Sequence, residues 1–300
     1  MQPKRIKKNT DGIFLLDKPL GFSSNQALQK VKWLFQAAKA GHTGTLDPLA
    51  TGLLPICFGE ATKFAQYVTD ADKTYIATVK FGAITSTGDA EGEVLTQAPV
   101  TFEFTTLQKT CQTFLGEITQ IPPMHSALKF EGKALYEYAR AGLEVKRKAR
   151  KITIYKISVE NFSGDVATLT ITCSKGTYIR TLAEDIGHAL GCGAHLIGLR
   201  RTETAGFSIA QAINLENLIE KITQNASLED LLLPVDAAIQ HFPAIQLDEA
   251  AAFRLRQGQM VRVESQQTSD EVRAYDEENH FLGLCALENG KLFPKRLVRI

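Results

Sequence analysis

The chain is poor in most of the features that announce a protein class. Its 300 residues include one tryptophan, three methionines and five cysteines. The cysteines (Cys57, Cys111, Cys173, Cys192 and Cys285) are odd in number and scattered, which argues against a disulfide framework and for reduced thiols. Cys192 and His195 have the spacing of two metal ligands, but no second pair lies nearby, so packing is expected rather than a metal. No apolar run approaches the roughly 18 residues that cross a bilayer. The first residues are basic and polar rather than a signal core, so a cytoplasmic protein that does not meet membranes is expected. A Walker loop and a dinucleotide fingerprint are missing as well. Charge of one sign is also lacking, because 34 Lys and Arg face 33 Asp and Glu, leaving +1.

What the chain does have is an ordinary core and an uneven distribution of charge. It is 44% hydrophobic and 22% charged, enough for one large domain and a small one. Basic residues cluster at Lys4-Arg5-Ile6-Lys7-Lys8, at Lys146-Arg147-Lys148-Ala149-Arg150-Lys151, and at Lys295, Arg296 and Arg299. Such clusters supply phosphate contacts or are simply solvated faces. Periodicity predicts strands at 12–16, 53–57, 74–81, 152–159 and 166–173. It predicts helices near 23–35, 60–67, 106–114, 133–141 and 177–190, with 194–207 extended and Asp17 to Gly21 a turn. Strands with interspersed helices and no regular βαβ rhythm favour an α+β fold with a large, mixed and mainly antiparallel sheet. The acidic run Asp89-Ala90-Glu91-Gly92-Glu93 lacks the closing ligand of a calcium loop and reads as a solvated turn. Pro234 and Pro243 bracket a boundary, beyond which a helix at 250–255 and short strands at 258–263, 272–275, 281–287 and 291–297 suggest a small β-rich domain. The expected division is 1–240 and 241–300.

The most informative stretch runs Gly41-His42-Thr43-Gly44-Thr45-Leu46-Asp47-Pro48-Leu49-Ala50-Thr51-Gly52-Leu53-Leu54-Pro55. It sets one carboxylate among glycines and prolines that favour neither helix nor ladder pairing across its centre. Two readings follow from the residues alone: an aspartate that starts a turn before proline, or a candidate nucleophile or base in a shaped loop. An aspartyl phosphotransferase would place further acids for Mg²⁺ close by, and the local sequence has none. The second stretch, Ser174-Lys175-Gly176-Thr177-Tyr178-Ile179-Arg180-Thr181-Leu182, puts Tyr178 and Arg180 at the start of a helix, where backbone donors favour anions.

With Asp17-Lys18-Pro19-Leu20-Gly21, Asp72-Lys73-Thr74-Tyr75 and Gly193-Ala194-His195-Leu196-Ile197-Gly198-Leu199-Arg200-Arg201, these ordered runs resemble the bacterial TruB family of tRNA pseudouridine synthases (tRNA pseudouridine-55 synthases). The resemblance implies a pseudouridine synthase fold in which uridine 55 of the tRNA T-loop is isomerised to pseudouridine, with base flipping and an aspartate nucleophile. It implies no cofactor and no catalytic metal. The catalytic aspartate falls on Asp47, its basic partner on Arg180 and the active-site tyrosine on Tyr75. Tyr178 and Leu199 fall on the base-pocket wall, and His42 on a histidine that accommodates the extruded nucleotide. Arg180 would hold Asp47 ionised in a pocket that excludes water. Lys18 and Pro19 match a supporting motif. Pro122-Pro123-Met124-His125-Ser126-Ala127-Leu128-Lys129 matches a segment whose variation argues against a catalytic His125. The region around 120–151 would be an RNA-gripping insertion, and 241–300 a PUA-like RNA-binding domain. The expected partner is the T-stem-loop of tRNA, bound by a monomer without an obligate protein partner. The alternative is a non-catalytic RNA-binding or tRNA-folding protein on the same scaffold.

Overall fold

The alternation at 74–81 becomes a strand, Lys73–Phe81, with Tyr75, Ala77, Val79 and Phe81 buried and Ile76 facing out. In the computed structural model, which describes residues 7–265 and 267–299, this strand lies within a mixed ten-stranded sheet. Lys4, Arg5 and Ile6 of the first basic cluster lie outside the described residues. The strands that carry the argument are β1 (Gly12–Lys18), β2 (Ala50–Phe58), β3 (Lys73–Phe81), β4 (Gly116–Gln120), β5 (Arg150–Ser163), β6 (Val166–Cys173) and β7 (Ala194–Thr204). Their spatial order is β1-β2-β7-β3-β6-β5-β4. β2 and β7 pair in parallel, whereas β1–β2, β7–β3, β3–β6, β6–β5 and β5–β4 are antiparallel, so the fold is α+β with a mainly antiparallel sheet.

Helix α1 (Ser24–Leu34) starts at a capping box, in which the Ser23 hydroxyl accepts from Gln26 N–H and the Gln26 side chain accepts from Ser23 N–H. Its buried face is Ala27, Leu28 and Val31. Helix α2 (Ile179–Ala189) buries Ile179, Leu182, Ala183 and Ile186. Both join the main core with Phe14, Leu54, Phe58, Phe81 and Leu169. The alternate residues of β1 and β2, Ile13, Leu15, Leu53 and Cys57, pack on the other side against Phe64, Phe207 and Ile239. β2 is therefore covered on both faces, which explains a continuous apolar run in place of an alternating one.

Several expected boundaries shift for tertiary reasons. Asp17 and Lys18 are not in a turn, because they continue β1 opposite Leu53 and Gly52. The helix expected at 60–67 divides into a 3₁₀ turn, Gly59–Lys63, and a short α-helix, Ala65–Asp70. All five cysteines are free and buried. Cys192 Sγ donates to the Gly193 carbonyl, and His195 Nδ1 lies 3.0 Å from the Ala83 carbonyl, so both are packing residues.

Residues 244–297 form a separate five-stranded sheet around Leu247, Leu255, Val272, Leu282 and Leu292. It is tied to the main sheet by Phe64 against Phe281, ring centroids 5.5 Å apart, and by Tyr67 Oη donating to Glu271 at 2.6 Å. Arg296 donates to the Lys63 carbonyl and Arg299 N–H to Glu60, so part of the third basic cluster lies in that junction. No described helix is long and apolar enough to cross a membrane.

Candidate active site

The loop that carries Asp47 leaves a short strand, Ala40–His42, and enters β2. It is fastened from both sides. Ser24, the first residue of α1, exchanges hydrogen bonds with the backbone of Leu46, its hydroxyl accepting from Leu46 N–H at 2.7 Å. Thr43 N–H and hydroxyl both donate to the Pro55 carbonyl. Ala50 N–H donates to the Asp47 carbonyl and Gly21 N–H to the Pro48 carbonyl, closing the turn at Asp47-Pro48. Gly44 has φ +80, and a Cβ there would lie 3.1 Å from Arg201 Nη1; at Gly52, φ +100, a Cβ would meet the Arg201 carbonyl oxygen at 2.3 Å. Both glycines are needed for this loop to settle against β7.

Asp47 meets Arg180, which projects from the first turn of α2. Arg180 Nη2 lies 3.0 Å from Asp47 Oδ2, with the Arg180 side chain 6% exposed and that of Asp47 44% exposed. The carboxylate is thus half open to the cleft, not enclosed in a dry pocket as expected. Burial belongs to its cation instead. The guanidinium is gripped further by the Thr87 carbonyl at 2.9 Å from Nη1 and the His125 carbonyl at 2.6 Å from Nη2. His125 therefore reaches Arg180 through its backbone carbonyl.

The other flank of Arg180 is a second carboxylate, Asp89 Oδ2, 3.4 Å from Nη1. This corrects the reading of 89–93 as a solvated turn: Asp89 is buried. Its backbone bridges to Leu196 of β7, and its carboxylate accepts from the Thr87 hydroxyl and from Glu91 N–H. A buried cation needs compensation, and here two carboxylates from distant segments share it. The acid missing from the local sequence around Asp47 is supplied by the fold, but it faces a guanidinium.

Beneath Asp47 lies a floor of buried polar groups. Tyr75 is buried and hydrogen-bonded to Arg201; burial pushes its phenol up, and the Arg201 charge opposes that shift. Arg201 is also buried, donating from Nε to the Leu53 carbonyl at 2.7 Å and from Nη2 to the Gly44 carbonyl at 3.2 Å; burial pulls its pKa down and Tyr75 opposes this. Lys73 donates to the carbonyls of Val68, Thr69 and Ala71, closing the end of the helix Ala65–Asp70, and burial pulls it down to about 8. Lys18 donates to the carbonyls of Pro19 and Phe22; burial lowers it to about 8, with Asp47 pulling the other way. Neither Arg201 nor Lys73 is a candidate site residue in the sequence, and Asp89 is read there only as part of a solvated turn. The Arg200-Arg201 pair carried a signal for one of them: alternation along β7 sends Arg201 inward while Arg200 reaches Asp17 at 2.7 Å.

The cleft has two lobes that share Asp47, Arg180 and Ser126. The first, about 330 Å³, is lined by Asp47, Tyr75, Tyr178, Arg180 and Leu199, five of the six residues expected from the sequence. The sixth, His42, lines the second lobe, about 520 Å³. Its Nδ1 is buried without a partner, and burial followed by the Arg201 charge lowers its pKa. Tyr178 is the N-cap residue of α2, and its backbone is clasped by Gln120 of β4: Tyr178 N–H donates to Oε1 at 2.8 Å and Nε2 donates back to the carbonyl at 3.1 Å. The arrangement therefore offers an aimed, half-exposed carboxylate, a tyrosine held by a buried cation, and walls of aromatic and aliphatic carbon. Among the described residues no group of three or more His, Cys, Asp or Glu is placed to hold a metal ion.

Comparison with known proteins agrees along the whole chain. The family described as TruB family pseudouridylate synthase (N terminal domain) matches residues 32–179. The tRNA pseudouridylate synthase B C-terminal domain matches 180–240, and the C-terminal domain of pseudouridine synthase II TruB matches 243–298. A protein of Methylobacillus flagellatus named "tRNA pseudouridine synthase B" is 56% identical over 300 residues, covering 100% of this chain and 99% of that one. A protein of the same name from Chromobacterium violaceum is 51% identical, covering 99% and 97%. Among solved structures, a chain of a Cbf5–Nop10–Gar1 complex superposes with TM-score 0.74 at 24% identity, covering 97% of this chain and 84% of that one. A chain of an H/ACA RNP bound to a substrate RNA containing 2′-deoxyuridine gives TM-score 0.73 at 21% identity, covering 100% and 93%. At those identities the likeness concerns the fold.

Proposed function

The chain belongs to the TruB family of pseudouridylate synthases, and from that premise we propose that it isomerises uridine 55 in the T-loop of tRNA to pseudouridine, with Asp47 as nucleophile. The observation that carries the reading is the Asp89–Arg180–Asp47 chain of charge, which ends on a half-exposed carboxylate above Tyr75. The reaction breaks the bond between ribose C1′ and uracil N1, makes one between C1′ and C5, moves the proton from C5 and supplies one to N1. Atoms and electrons balance within the nucleotide, because the bond that Asp47 makes as nucleophile is broken again before the product leaves, so the enzyme's work is to expose the base, hold the detached ring and handle two protons.

Asp47 is the charged group at the centre of that work. Arg180 fixes its direction, and Asp89 offsets part of the guanidinium charge so that Asp47 is not locked into a tight pair. Unstacking the target base costs a few kcal/mol, offset by contact with Tyr178 and Leu199 in the wall of the first lobe. Tyr75 lies on the floor, where its raised pKa keeps the phenol protonated and its ring is available to the uracil face. His42 lines the second lobe, next to the position from which the base departs.

The test is Asp47→Asn, incubated with unmodified tRNA transcript. The expected result is tRNA binding within a few-fold of wild type and no detectable pseudouridine; turnover at the wild-type rate in that variant would overturn the assignment. A protein that only binds or folds tRNA would leave the transcript unmodified even as wild type. Mapping pseudouridine over total RNA with and without the gene tests position 55, the expectation being loss of signal confined to the T-loop.

A further inference from the structure

Four cations line the first lobe of the cleft: Lys73, Arg150, Arg180 and Arg201. Three have their donors engaged by carbonyls, carboxylates or Tyr75. Arg150 differs. Its Nε and Nη2 are buried with no hydrogen-bond partner, and among the described residues no carboxylate forms an ion pair with it. Its guanidinium carbon lies 4.8 Å from the centre of the Tyr178 ring, and its Nη1 faces Gly176. The Ser126 hydroxyl, in the wall of the same lobe, is likewise buried and unpartnered.

Donors buried without acceptors are unfavourable, more so on a charged group, so such a site favours a ligand that brings acceptors with it. The position of Arg150 is well defined. It opens β5 opposite Gln120, the residue that clasps the backbone of Tyr178. The turn Ser174–Thr177 leads from the end of β6 into α2, an 11-residue helix with no acidic residue in its first turn and no side-chain hydrogen bond from its N-cap residue. Gly176, Thr177, Tyr178 and Ile179 line this end of the lobe. An uncompensated guanidinium and the positive end of a helix thus converge on one place, and both favour an anion over a neutral carbonyl.

We propose that Arg150 and the N-terminal turn of α2 bind a phosphodiester of the RNA next to the flipped uridine, so that Arg150 is a substrate-positioning residue distinct from general backbone cations such as Lys151, which pairs with Glu117. This rests on the reading of the lobe as the uridine site. The phosphate anchors the nucleotide at one end of the lobe while Asp47 meets it at the other. Stacking of Arg150 on Tyr178 couples the backbone contact to the base wall.

The experiment measures affinity for a T-stem-loop RNA and for two copies of it in which the phosphate on the 5′ or the 3′ side of the target uridine is a neutral methylphosphonate. Against the unmodified RNA, Arg150→Met is expected to bind about tenfold more weakly, as for loss of one charge-assisted contact, and the salt dependence of log affinity to become shallower by about 1. Wild type should lose about the same factor on one of the two neutral RNAs, and on that RNA the variant and wild type should bind equally. Arg150→Lys should fall in between. A melting transition for each variant shows that it is folded, and the wild-type comparison on neutral RNAs needs no variant. No loss by wild type on either neutral RNA, or an Arg150→Met penalty that stays the same on both, overturns the assignment; the second outcome would place Arg150 on the base. If wild type fails to bind the unmodified stem-loop at all, the uridine-site reading itself falls.

Discussion

The two sides of the cleft are built on opposite principles. The floor, made by β1, β2, β3 and β7, buries Lys18, Tyr75, Lys73 and Arg201, and each is hydrogen-bonded to backbone or to a neighbour in the same group. The wall contributed by residues 121–149 has two-residue strands, Lys129–Phe130 and Lys133–Ala134, and one short helix, Leu135–Arg140. It leaves Ile121, Phe130 and Leu143 exposed, and Ser126 Oγ and Arg147 Nε buried without partners. A satisfied polar floor has one low-energy arrangement, which is what aiming Asp47 as the proposed nucleophile would require. A wall with exposed apolar side chains and unpartnered polar atoms has contacts left to make, as the proposed grip on RNA would require.

The sharpest way to break this contrast is to leave the floor unsatisfied. Arg201→Met strips the Tyr75 hydroxyl and the Leu53 and Gly44 carbonyls of a donor, and at about 1 kcal/mol for each acceptor left unpaired should cost about 3 kcal/mol of unfolding free energy by denaturant titration. An effect below about 1 kcal/mol would mean the floor is not the rigid side. Next in size is Asp89→Asn, which keeps shape but removes one of the two charges on Arg180. Pseudouridine formation should fall about 100-fold, or about 2.7 kcal/mol, with tRNA affinity little changed.

A smaller effect concerns pH. The folded pKa of Lys73 is about 8 against 10.5 for the free side chain, so between these values the unfolded chain binds more protons and the contribution of Lys73 to stability rises with pH. The penalty for holding its charge is fully present below about 8 and fades as pH approaches 10.5. Comparing wild type with Lys73→Met, the variant should lose this upward component between pH 8 and 10. An identical slope in both would place the charge elsewhere. The smallest stability effect belongs to the wall: Phe130→Ala should change unfolding free energy by no more than about 0.5 kcal/mol while weakening tRNA binding several-fold. A large loss of stability there would make the wall as rigid as the floor.

Much of the fold was legible because the residues announce it over short distances. Alternation marked β3 and set Tyr75 on the same face as Ala77, Val79 and Phe81, and helical spacing marked 23–35, where α1 forms. Gly44, Pro48 and Gly52 marked the loop at Asp47. Less legible was anything whose reason lies across the sheet. Lys18 looked like part of a turn because its strand partner, Gly52, is 34 positions away. Asp89 looked solvated because acidic residues near glycine usually are, and only its bridge to Leu196 and its approach to Arg180 bury it. Asp47, expected to be enclosed, is half open because enclosure falls on the guanidinium it faces.

By itself the sequence determined the class of the chain, the loop that bears Asp47, and the ordered motifs that identify its family. These depend on backbone preferences and on residues close together along the chain, which local physics fixes before anything packs. The tertiary structure alone decided how charge is shared at the centre, because a buried guanidinium must find its counter-charges wherever the fold brings them. It brought Asp89 to one side of Arg180 and Asp47 to the other, and left Arg150 as a cation lining the first lobe whose buried donors have no partner of their own.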